Sequence, residues 1–178
     1  MSDKTEKKYM KKSEIVTFGI GLFGVALMTG WMPDYTATFF ADFAFKGKGF
    51  DSATMANAIS MVFLVAGIIG AVCELVIGYL VDNTRTKLGK VKPWVGFGVV
   101  PLAVVAMLVF IAPNTSNQTL AIVWMFVIYS LYTAFSCAVE SPSNCFGSLC
   151  SPNPAERSTA ISIASFLRSV GQSGGMVV

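Results

Sequence analysis

Glu74, Glu140 and Arg168 are ionisable side chains set inside stretches that are otherwise almost wholly apolar. An unpaired charge in a bilayer core costs at least ~2.5–3.5 kcal/mol, so such residues face a cavity, a transported solute or one another. A carboxylate can accept from two neighbouring hydroxyls, as on a sugar ring, or it can take up and release a proton. A guanidinium can clamp a polar solute or a carboxylate. The chain has no histidine, so no His-based zinc site or His-activated nucleophile can be built. Cys73, Cys137, Cys145 and Cys150 have no metal-ligand spacing; they fall within apolar runs and read as small packing residues rather than disulfide partners. Binding and ion movement, not covalent catalysis, is the chemistry this set supports.

A second set of charges lies in one short loop, Gly78-Tyr-Leu-Val-Asp82-Asn-Thr-Arg85-Thr-Lys87-Leu-Gly89-Lys90-Val-Lys92-Pro93-Trp94. Four cations and one carboxylate stand where a helix leaves the membrane. Lys and Arg collect in cytoplasmic loops because short positive loops resist translocation, so this loop is expected inside.

The elements that must position both sets are membrane helices. Of the 178 residues, 54% are hydrophobic and 13% charged, well under the roughly one quarter charged of a soluble domain. Apolar runs over about 15–41, 54–81, 93–112, 119–150 and 158–178 each reach the roughly 20 residues that a helix needs to cross a core about 30 Å thick. The expected fold class is an all-α membrane protein with five spans. The alternating pattern of a membrane barrel is absent. Residues 1–14 carry Lys4, Lys7, Lys8, Lys11 and Lys12 beside acids and read as a cytoplasmic tail. The first run is too long for a cleaved signal and stays as a span. The loop at 113–118 carries no cation, and the alternation places the N-terminus inside, in the cell membrane. Asn114 and Asn117 each match a glycosylation acceptor, yet in so short a loop they read as solvated residues. The net charge of +3 is too small, beside so much membrane, for a nucleic-acid partner.

At 1.5 Å per residue, Glu74 lies about 12 Å from Asp82, Glu140 about 16 Å from Ser151 and Arg168 about 16 Å from Arg157. The three groups therefore share a depth near the midplane, where transporters place solute and ion sites. The competing arrangement is an internal ion pair, Arg168 with Glu140 or Glu74, that only holds helices together. Asp34 lies near the outer end of its span, within reach of solvent. Glycines within the spans serve close helix packing, and Pro33 and Pro142 are expected to bend their helices.

The Gly78-x-x-x-Asp82 step followed by Arg85, Gly89, Lys90 and Lys92 resembles the loop between helices II and III of the major facilitator superfamily. The fuller string from Asp82 to Trp94 resembles the melibiose-carrier-like glycoside-pentoside-hexuronide:cation symporters. Phe18-Gly-Ile-Gly-Leu-Phe-Gly24, Tyr132-Thr133 leading to Glu140-Ser-Pro142, and Asn153-Pro-Ala-Glu-Arg157 agree in order and spacing. The resemblance implies a major facilitator fold, the five spans forming most of its N-terminal six-helix half, with the C-terminal half missing.

It also implies roles. Asp82 and Arg85, with Gly78, Gly89 and Lys90, match the cytoplasmic gate that locks the two halves. Glu74 matches the second acid of a two-acid cation site in helix II, whose first acid is replaced by Gly70; one carboxylate favours a proton over sodium as the coupling ion. Glu140 matches a sugar-binding acid in helix IV, while the helix I acid is replaced by Ala26. A helix V arginine aligns with Ser165, and Arg168 lies nearly one turn further on. The implied function is sugar or glycoside:cation symport by alternating access, with no cofactor beyond the coupling H+ or Na+, and with the solute and the lipid bilayer as partners. The rival expectation is a truncated or accessory membrane protein without transport of its own; a third is an oligomer that rebuilds a pathway.

Overall fold

The computed structural model describes residues 12–44, 49, 51–86, 90–111, 113, 117–149 and 151–173. Six α-helices make up this structure: α1 (Lys12–Gly30), α2 (Met32–Thr38), α3 (Ser52–Asn83), α4 (Lys92–Val109), α5 (Gln118–Leu149) and α6 (Pro154–Ser173), with a π-helical turn, Phe39–Ala44, after α2. The chain is an all-α membrane protein. Four segments are long and apolar enough to cross a membrane: Ile15–Asp42, Ser52–Asn83, Lys92–Val109 and Gln118–Cys145. The expected fifth span, 158–178, runs past the described residues, and its described part, α6, is too polar to join those four.

Local chemistry explains the ends. Asp51 caps α3, its carboxylate accepting the Thr54 backbone N–H at 2.8 Å. The Thr54 hydroxyl and backbone hold Asp51 below its ordinary pKa, so the cap's contribution is fully present above the usual aspartate range and is lost as pH falls from there through the lowered value. Asn117 accepts the Thr119 N–H at 3.0 Å, which gives this sequon residue a capping role at α5. At α6, Asn153 accepts the Ala155 N–H at 3.0 Å, and the Ser151 hydroxyl donates to Glu156 at 2.9 Å. The Asn153-Pro-Ala-Glu string is thus a helix-start device. The first span is interrupted at Trp31 and resumes with Pro33 near the start of α2, where a missing N–H costs nothing. Helix α5 continues through Pro142.

The chain divides into two compact units, Met1–Trp31 with Ser143–Val178, and Met32–Pro142. In the first, α1 and α6 lie side by side. A Cβ on Gly19 would meet Leu167 at 2.6 Å, and one on Gly171 would meet the Phe23 carbonyl at 3.1 Å and Ala26 at 3.2 Å. The Trp31 indole donates to the Gln172 carbonyl at 3.1 Å. Low numbers meet low and high meet high, so the two helices run parallel. Ala26, Ala160 and Ala164 are buried. Small residues permit the close backbone approach on which helix association in lipid depends.

In the second unit α5 meets two helices through glycines. A Cβ on Gly70 of α3 would meet Thr133 at 3.0 Å, and one on Gly98 of α4 would meet Val139 at 2.8 Å. Phe63 and Tyr129 pack edge to face at 4.5 Å between ring centres. Outer faces are apolar, with Leu75 77% and Phe97 82% exposed, as a surface against lipid or further helices requires.

Gly171 is the tightest of these approaches to main chain. Gly171→Ala is expected to destabilise the protein in detergent by about 1–3 kcal/mol through overpacking, whereas Gly24→Ala, with open space at its Cβ, stays within about 0.5 kcal/mol. Equal thermal unfolding midpoints for the two variants would show that α1 and α6 do not touch there.

Candidate transport site and inner gate

Helix α3 carries the first carboxylate and α5 the second. The Cys137 thiol of α5 donates to the Gly70 carbonyl of α3 at 3.6 Å, where the absence of a side chain lets the helices close. Glu74 follows Gly70 by one turn, and Glu140 follows Cys137 by nearly one turn. Both carboxylates, together with Cys73, lie near enough to act electrostatically on the Cys137 thiol, and Glu140 also acts on Tyr132. The structure therefore brings Glu74 and Glu140 around one crossing. Glu74 is exposed and forms no hydrogen bond or ion pair among the described residues; Glu140 is half-buried. No group of three or more His, Cys, Asp or Glu side chains able to hold a metal occurs among the described residues.

Arg168 belongs to the other unit. It is half-buried on α6, and its Nη1 donates to Asn144 Oδ1 near the end of α5. Asp34 is exposed on α2, as expected of a residue near the outer end of its span, and acts electrostatically on Tyr129.

The loop residues sit at the end of α3. Asp82 and Arg85 are both exposed, and no ion pair joins them to each other or to any other described residue. A carboxylate and a guanidinium three residues apart thus stand open at the end of α3. Lys90 is exposed as well; Gly78 is half-buried with open space at its Cβ, and Gly89 lies outside the described residues.

A family profile described as MFS/sugar transport protein matches residues 17–178. The chain belongs to that family. Among relatives, the inner membrane symporter YicJ of Escherichia coli is 30% identical over 122 residues, covering 68% of this chain and 26% of the relative. The isoprimeverose transporter of Lactiplantibacillus pentosus is 33% identical over 117 residues, covering 65% of this chain and 24% of the relative. The symporter YjmB of Bacillus subtilis is 29% identical over 180 residues, covering 100% of this chain and 36% of the relative. The chain thus spans about a third or less of these relatives' length. Their names and the family place it among the glycoside-pentoside-hexuronide:cation symporters of the major facilitator superfamily.

One polar face of the chain escaped the reading of charges alone. Ser158, Ser162, Ser165, Ser169 and Gln172 recur at spacings of four, three, four and three along α6, and all are exposed. The four serines lie opposite the small residues that meet α1, while Gln172, whose side chain meets Gly30, borders that seam. Several hydroxyls inside the other spans bond their own helix, as Thr29 does to Val25 at 3.1 Å, Ser60 to Ala56 at 3.0 Å and Thr133 to Tyr129 at 3.0 Å. Ser162, Ser165 and Ser169 have no such bond among the described residues. Hydroxyls left open in this way suit water or a polyhydroxylated solute and are ill matched to acyl chains. The spacing was legible in the sequence; treating the segment as an apolar span with one arginine concealed it.

Single cysteines at Ser158, Ser162, Ser165, Ser169 and Gln172, in the intact protein without its native cysteines, should react with a membrane-impermeant thiol reagent. Cysteines at Ile163, Phe166 and Val170 should react at least about tenfold more slowly. Uniform reactivity along α6 would refute a water-facing stripe.

Proposed function

We propose that this chain supplies part of a secondary transporter that moves a sugar or glycoside together with a cation by alternating access, and that the cation is a proton. The observation that carries the reading is the α3–α5 crossing, where Glu74 and Glu140 surround one close helix contact. Family membership and the names of the relatives support symport as the activity. The choice of ion rests on Gly70. A sodium ion needs several hard oxygens, and the position where the family carries a further acid here meets the Thr133 methyl, with 3.0 Å left for a Cβ. One carboxylate suffices to carry one proton.

The roles follow from placement. Glu74 takes up and releases the coupling proton. Glu140, and Arg168 with its Asn144 partner, accept and donate hydrogen bonds to solute hydroxyls, and the serine face of α6 lines the wet passage. Asp82 and Arg85, supported by Gly78, Gly89 and Lys90, form one side of the inner gate, whose other side lies in parts of the transporter beyond this chain. The N-terminal tail is cytoplasmic and the protein resides in the cell membrane. No covalent step is involved. The other reading, a bundle without transport of its own in which these residues only pair, predicts that none of their variants alters solute movement.

Glu74→Gln and Glu140→Gln in the intact protein separate the roles. Uptake of labelled isoprimeverose and other glycosides into vesicles is measured with an imposed proton gradient and no sodium. Glu74→Gln should abolish accumulation against a gradient while solute exchange persists. Glu140→Gln should weaken apparent solute affinity at least tenfold, about 1.4 kcal/mol. Unchanged uptake in both variants would remove them from the site, and uptake driven by sodium alone would overturn the choice of ion.

A further inference from the structure

We infer that Trp94 is a positioning residue for the inner gate: its indole N–H, bonded to Thr84, fixes the end of α3 that presents Asp82 and Arg85. The inference rests on the gate reading above and adds a residue to it. Thr84 is the C-cap of α3, in extended conformation at φ −74° and ψ 124°. Its backbone N–H donates to the Val81 carbonyl at 3.1 Å, and its hydroxyl donates to the Leu80 carbonyl at 2.7 Å. The same hydroxyl oxygen accepts from Trp94 Nε1 at 3.0 Å. Asn83 Nδ2 bonds the Tyr79 carbonyl at 3.0 Å. Two successive carbonyls of the last turn, those of Leu80 and Val81, which a helix end leaves open, are thereby closed, and the Asn83 side chain adds a donor at Tyr79.

Trp94 stands in the first turn of α4, directly after Pro93, whose ring fixes the local backbone. The hydrogen bond spans ten residues and ties the end of one membrane helix to the start of the next. It does so whatever path the intervening basic loop takes. Asp82 lies two residues before the tie and Arg85 one residue after it. Both are exposed without a partner among the described residues, so neither is held by its own interactions. A gate that must break and reform needs its charged groups returned to one place on every cycle, and the tie at Thr84 supplies that constraint. Trp94 and Thr84 are both half-buried, and Val81 and Val91 beside them are buried, which shelters the bond from competing water.

The test uses the intact protein without native cysteines, carrying Ser169→Cys as reporter, in right-side-out and inside-out vesicles. A membrane-impermeant thiol reagent gives the ratio of labelling from the cytoplasmic side to labelling from the outer side. Trp94→Phe keeps the aromatic ring and removes the donor; Thr84→Val keeps the shape and removes the hydroxyl. Each should raise the ratio at least threefold, in the same direction as Asp82→Asn, while Thr84→Ser should stay at the parent value. The double variant Trp94→Phe/Thr84→Val should be no worse than either single change, because one bond is lost only once. If Asp82→Asn raises the ratio and Trp94→Phe does not, the positioning role is overturned and the gate stands. Additive effects of the two single changes would equally overturn the bond as the cause. If Asp82→Asn has no effect, the gate reading fails and this inference fails with it.

Discussion

Lipid offers no hydrogen bonds, and that constraint orders the whole chain. Every polar group inside a span must find a protein partner or water, at a cost of several kcal/mol if it finds neither. The hydroxyls of Thr29, Ser60 and Thr133 obey by bonding their own helices, and the indoles of Trp31, Trp94 and Trp124 obey by bonding Gln172, Thr84 and Ile111, whereas the buried Thr36 and Ser130 hydroxyls have no partner among the described residues. Against that background the exceptions become informative. Glu74 and the hydroxyls of Ser162, Ser165 and Ser169 are open on exposed surfaces. In a finished membrane protein those surfaces must meet water or other polar protein groups. That need separates a polar-facing surface from a lipid surface more sharply than apolarity does, since Leu75 and Phe97 are also exposed and require no explanation.

Close approach is the second theme, and it follows from the first. Helices in lipid gain little from burying apolar surface against each other, so they associate where small residues let backbones touch. Gly19 and Gly171 do this for α1 and α6, and Gly70 and Gly98 do it for α5 with α3 and α4. Gly70 has a further consequence: an acid exchanged for glycine removes a charge and also closes the space the acid would occupy. A second carboxylate could not be restored at Gly70 without pushing Thr133 aside. In the proposed proton-coupled reading, loss of a ligand and gain of a helix contact are therefore one event, and packing decides the coupling ion as much as charge does.

The sequence made the helices legible because length and apolarity suffice for membrane spans. The expected run 54–81 corresponds to Ser52–Asn83, and 119–150 to Gln118–Leu149. The loop from Gly78 to Trp94 carried the family by its residue types. The break of the first span at Trp31 falls between Gly30 and Pro33, where a bend was expected. Two things were not legible. Helix α6 holds its place by a small-residue seam and hides a serine face behind an average hydropathy. Trp94 read as one letter of a motif, because its hydrogen bond to Thr84 joins two helices whose ends only a structure places together. Spacing along one helix can be counted in sequence, but contact between helices cannot.

Helix α3 connects the two sets of charges. From Glu74 to Asp82 it is unbroken, with no proline and with an N-cap at Asp51 and a closed end at Thr84. Eight residues advance about 12 Å and about 80° around the axis at 3.6 residues per turn. A helix in that state moves as a rod, since bending it would break backbone hydrogen bonds that lipid cannot replace. Under the roles proposed above, any tilt that withdraws Asp82 from a gate partner displaces Glu74 against the α5 contact at Gly70. Proton occupancy at Glu74 and closure at Asp82 would then be two readings of one rigid-body coordinate, which is the physical requirement for coupling an ion to alternating access. The fold needs no relay of side chains between midplane and gate, because the backbone of α3 already joins them.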